Sequence, residues 1–117
     1  MDLVPEQFQL QQQDLFEMFR LQLKKDFDGA GLASGFCEHL PAEWTTLKAV
    51  VAQQLAKADK AGGRELQGLL YRIDISEEQI KRYGKSNPAL DFMELLSELV
   101  IKRILQKVVI RKNLSQK

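Results

Sequence analysis

Residues 91–112 read "DFMELLSELVIKRILQKVVIRK", and the placement of apolar residues in this stretch decides the fold. At about 100° per residue, Phe92, Met93, Leu95, Leu96, Leu99 and Val100 share one face of a helix. Ile101, Ile104, Leu105 and Val108 share roughly the opposite face. The charges exchange sides in step: Asp91, Glu94 and Glu98 come early, Arg103, Lys107 and Arg111 late. A helix whose apolar side changes halfway must be covered on different sides along its length. Either it occupies the centre of a bundle, or it bends near Ile101-Lys102, or its second half docks on another chain. The docking reading makes Ile101, Ile104, Leu105 and Val108 a homo-oligomer interface, most simply that of a dimer. The β-branched run Val108-Val109-Ile110 leaves a short terminal strand as a further alternative.

Upstream, helical periodicity continues. Pro88 suits the first turn of the last helix, with Asn87 as its cap. Ser76-Glu77-Glu78-Gln79 has the spacing of a capping box, and Ile75 with Ile80 supplies the accompanying hydrophobic staple. This predicts a helix of about two turns, closed by Gly84. Residues 64–72 offer Leu66, Leu69, Leu70 and Ile73 from a short helix, which Gly62-Gly63 separates from the preceding one. That preceding helix starts at Pro41 and follows Trp44, Leu47, Val50, Val51, Leu55 and Ala58. The first helix spans residues 5–27 with Phe8, Leu15, Phe19, Leu23 and Phe27 on one stripe, and Phe16 and Met18 off it. The fold class is therefore all-α: a single domain of four to five helices over residues 1–117. It carries a long glycine-containing loop after the first helix and a long C-terminal helix.

Composition agrees with this class. The 117 residues are 44% hydrophobic and 28% charged, as in ordinary globular domains. No apolar run approaches the roughly 20 residues of a membrane span. The first residues, with Asp2 and a glutamine run, lack the pattern of a secretory signal, so a cytoplasmic location is expected. The net charge of +1 conceals a gradient. Residues 1–45 hold the acids Asp2, Glu6, Asp14, Glu17, Asp26, Asp28, Glu38 and Glu43 against Arg20, Lys24 and Lys25. From Ile101 onward the bases Lys102, Arg103, Lys107, Arg111, Lys112 and Lys117 meet no acid. Such asymmetry fits a nucleic-acid surface, or an acidic first helix beside a basic last helix. The second is favoured, because six bases are few for a dedicated polyanion binder.

The stretch "DFDGAGLASGFCEHLPAEW", residues 26–44, gathers the only cysteine, the only histidine, two aspartates and three glycines. Read as an EF-hand from Asp26, it has Ala30 and Cys37 where oxygen ligands are required. Cys37 and His39 are the only soft metal ligands, too few for a zinc site. The glycines Gly29, Gly31 and Gly35 miss the dinucleotide spacing by one and follow a helix where a strand is needed. The "GKS" at residues 84–86 has Gln79 where a phosphate-binding loop has its first glycine. A Cys37–His39 nucleophile has no evident oxyanion hole. No catalytic, cofactor or metal residue is assigned, and no cofactor is expected. The stretch reads as a connector anchored by Phe27, Leu32, Phe36 and Leu40, with a helical turn between the last two.

The function expected is that of a small non-enzymatic interaction or regulatory protein. Its partner would be itself, through Ile101, Ile104, Leu105 and Val108, or another protein. The alternative is nucleic-acid binding through Lys102, Arg103, Lys107, Arg111 and Lys112, although no aromatic residues interleave with these bases and no recognition helix is evident. A membrane surface is not expected.

Overall fold

The computed structural model describes residues 5–115, and among them the regular secondary structure is all helical. The elements are α1 (Pro5–Leu10), α2 (Gln13–Gly29), a 3₁₀ turn (Gly35–His39), α3 (Trp44–Lys60), α4 (Arg64–Arg72), α5 (Glu77–Ser86) and α6 (Phe92–Ser115). The terminal-strand alternative is overturned, since Val108, Val109 and Ile110 lie within α6.

Among the described residues the five expected helices are all present, the first of them broken into α1 and α2. Gln12 is extended, at φ −82° and ψ 116°, between α1 and α2. Leu10 explains the break. On a continuous helix it would point about 140° away from Leu15, yet it is 1% exposed, turned into the same core as Phe19 and Leu23. The side chain of Phe8 lies outside the described ones.

Local capping sets the other boundaries. Helix α3 begins at Trp44 rather than Pro41, because the Glu43 carboxylate accepts from the backbone N–H of Thr45 (2.6 Å) and of Thr46 (3.1 Å). The capping box at Ser76 has both bonds: the Gln79 N–H donates to Ser76 Oγ (3.1 Å), and the Ser76 N–H donates to Gln79 Oε1 (2.8 Å). Helix α5 runs past Gly84 to Ser86, and Asn87 closes it by donating its amide to the Tyr83 carbonyl (2.9 Å). Asn87 is therefore not the cap of α6. That role falls to Asp91, whose carboxylate accepts from the Glu94 N–H at 2.8 Å.

The changing apolar side of α6 is resolved inside the chain. Its most extensive packing is against α3, followed by α2 and then α5. Leu96, Val100, Ile101, Ile104, Leu105 and Val108 are all no more than 1% exposed within one continuous core. This corrects the interface assignment. Ile101, Ile104, Leu105 and Val108 are core residues, and a second chain could not reach them without displacing this chain's own helices. Helix α6 is the central member of the bundle, wrapped on one side early and on the other later.

One buried polar cluster ties three helices together. Glu98 of α6 accepts from Lys48 Nζ of α3 at 3.0 Å and from the Tyr83 hydroxyl of α5 at 2.5 Å. Burial and the bond to Glu98 push the Tyr83 hydroxyl well above the usual tyrosine range.

Candidate functional site

The rare residues of the stretch 26–44 do not converge on a reaction centre. Cys37 is fully buried, whereas His39 is exposed. Burial pushes the Cys37 thiol up to about 11, so it stays protonated and unreactive near neutral pH. Among the described residues, no three of the His, Cys, Asp and Glu side chains converge as a metal site would require. The stretch is tied back onto α2 instead. Lys24 pairs with Glu38 at 3.0 Å, Ser34 Oγ donates to Asp28 at 2.5 Å, and the Phe36 ring meets Phe27 edge-on. Gly31, at φ 80°, makes the left-handed turn that ends α2.

The expected nucleic-acid residues separate into two groups. Lys102 pairs with Glu6 of α1 at 2.9 Å and lies over the Tyr83 ring. Lys112 pairs with Asp14 of α2 and holds that carboxyl below its ordinary range. The acidic beginning and basic end of the chain thus lie side by side in one molecule. Arg103, Lys107 and Arg111, in contrast, line one cleft between α2, the end of α4 and the second half of α6.

A groove of about 550 Å³ lies between α4, the start of α5 and the start of α6. Leu66, Leu70, Ile75, Ile80 and Leu96 give it an apolar floor, and Tyr71 and Phe92 stand along it. These two rings are 86% and 57% exposed, although Phe92 falls on the early apolar face of α6. The helical geometry explains Tyr71. It follows buried Leu69 by two residues and so points about 200° away from it. Phe92 is the first residue of α6. The only charged residues lining the groove are Asp59 and Glu77, both acids.

This arrangement has the makings of a binding surface. It has an apolar trough, two aromatic side chains and negative charge. Among the described residues, no helix is long and apolar enough to cross a membrane. Comparison with known proteins finds no matching family model, no matching curated protein and no matching solved structure, so the site's meaning rests on its own geometry.

Proposed function

We propose that this protein is a non-enzymatic interaction protein that binds a basic amphipathic segment of another protein in the groove between α4, α5 and α6. The observation that carries the reading is the exposure of Tyr71 and Phe92 beside an apolar trough whose only charges are negative. Exposed aromatics contribute most of the affinity at many interfaces when a partner desolvates them. A trough of this size takes the side chains of one or two helical turns, read at i, i+3, i+4 and i+7. Asp59 and Glu77 then select lysines or arginines flanking those anchors.

Helical peptides with leucines at the anchor positions and lysines elsewhere provide the test, with binding followed by fluorescence anisotropy. The double substitution Tyr71→Ala with Phe92→Ala is expected to weaken binding by at least about tenfold while leaving the helical circular dichroism unchanged. Exchanging the lysines for glutamates should weaken it further. Equal affinity of the double variant and the parent chain would contradict the reading.

A further inference from the structure

The cleft between α2, α4 and α6, about 640 Å³, is charged oppositely to the groove. Lys25, Arg72, Arg103, Lys107 and Arg111 line it, and Asp26 is the only acid among its lining residues. Asp26 is 1% exposed and works as a fixed anchor. Its carboxylate accepts from Arg72 Nε at 3.0 Å, from Lys107 Nζ at 3.4 Å and from the buried amide of Gln22 at 3.1 Å. Gln22 in turn accepts from Arg111 at 2.7 Å. Arg103 donates to the Ile73 carbonyl at 3.0 Å, and Asp74 approaches it from outside at 3.5 Å. Lys25 makes no ion pair among the described residues. Counting Asp74, five cations face two carboxylates, and the heads of four of those cations are already held in place.

We propose that this cleft binds a compact anion carrying several phosphoryl groups, gripped by Arg72, Arg103, Lys107 and Arg111 with Lys25 at the mouth. Guanidinium groups held in fixed orientation match phosphoryl oxygens two at a time, and little side-chain freedom remains to be lost. The ligand is compact because the cations come from three helices around a hollow, not from a continuous stripe. Lys102 and Lys112, which would extend the stripe along α6, are held by Glu6 and Asp14. No aromatic residue lines the cleft, so it gives nucleobases no stacking platform. Several phosphoryl groups are needed because Asp26 at the floor repels a lone anion seated between Arg72 and Lys107.

Gly29 supplies a way to perturb the cleft without changing its charge. A Cβ there would fall 2.3 Å from Cζ of Arg72, so the bare backbone at the end of α2 is what lets Arg72 lie across it to Asp26. The test is calorimetric titration of the full chain with inorganic tripolyphosphate at physiological ionic strength. Duplex DNA is titrated in parallel, and circular dichroism confirms the fold of each variant. One-to-one binding is expected, falling by at least about tenfold in the double variant Lys25→Gln with Arg111→Gln. A fall of several-fold is expected in Gly29→Ala, and less than about twofold in Lys102→Gln, which lies outside the cleft. Diffuse attraction to net charge predicts instead that Gly29→Ala is silent and that Lys102→Gln costs as much as Arg111→Gln; that result overturns the site. So does the absence of tripolyphosphate binding, or DNA binding that tripolyphosphate does not displace, which would return these bases to nucleic-acid recognition.

Discussion

The groove and the cleft are both backed by α6, and both are bordered by the large apolar side chains that the described residues expose. Tyr71 and Phe92 stand along the groove, Ile110 and Leu114 line the cleft, and Leu21 adjoins it beside Gln22 and Lys25. They differ in the sign of their charge and in how it is held. Asp59 and Glu77 at the groove are exposed, whereas the cations of the cleft are organised around a buried carboxylate. The contrast teaches that the charge of a surface is set by which helices meet there, not by the composition of any one segment. Among the described residues, Lys102 and Lys112 of the basic end are paired with acids of the chain's beginning, and the bases that converge with Arg72 and Lys25 leave an excess.

The largest expected effect abolishes both surfaces together. Ile104→Glu with Val108→Glu places two charges in the core, at a cost on the order of 5 kcal/mol or more, enough to unfold a domain of ordinary stability. Loss of the helical circular dichroism signal checks this. A folded monomer carrying both glutamates would restore the interface reading for that face. Next in size, Asp26→Ala disturbs the cleft alone. It strands Arg72 and Lys107, which are about one third exposed, so a destabilisation of about 2 kcal/mol is expected in urea unfolding, with the groove's peptide binding unchanged.

Ser76→Ala acts on the groove side, by removing half of the capping box that starts α5. It should cost about 1 kcal/mol and speed amide exchange in α5, while tripolyphosphate binding in the cleft persists. An effect seen only at alkaline pH belongs to the connector after α2. The folded state holds the Cys37 proton more tightly than the unfolded chain does, since burial raises the thiol from 9.0 to about 11. The thiol's contribution to stability is therefore constant below about pH 9 and is lost as the pH rises toward 11. Thermal unfolding across that range should show a loss of stability that is smaller in Cys37→Val.

Much of the architecture was legible in local chemistry. The capping box, the Gly62-Gly63 break and the apolar stripe of α2 each depend on residues close in sequence, and each stands where expected. The changing face of α6 was legible as a problem, but whether the bundle or a second chain covered it was not. That answer depends on α2 and α3 meeting α6 across long sequence separations. The break at Gln12 was missed because Leu10 lay off the stripe, and its burial becomes evident only when the other helices surround it.

The site was less legible. Tyr71 could have been found from its angle to Leu69. Asp26 could have been flagged as well, since it sits between Leu23 and Phe27 on the buried stripe, where a carboxylate requires partners. Those partners, Arg72 and Lys107, lie 46 and 81 residues away, and no spacing rule reaches that far.

The central claim, that the groove receives a basic segment of another protein, is tested most directly by a photo-crosslinking residue placed at Tyr71 of the full chain in cells. Mass spectrometry of the adducts identifies what lies against it. The predicted result is a dominant crosslink to a lysine- or arginine-flanked amphipathic helix of another protein, abolished by Phe92→Glu. Crosslinks to a second copy of this chain would reassign the groove to self-association. Adducts that Phe92→Glu leaves unchanged would contradict the account.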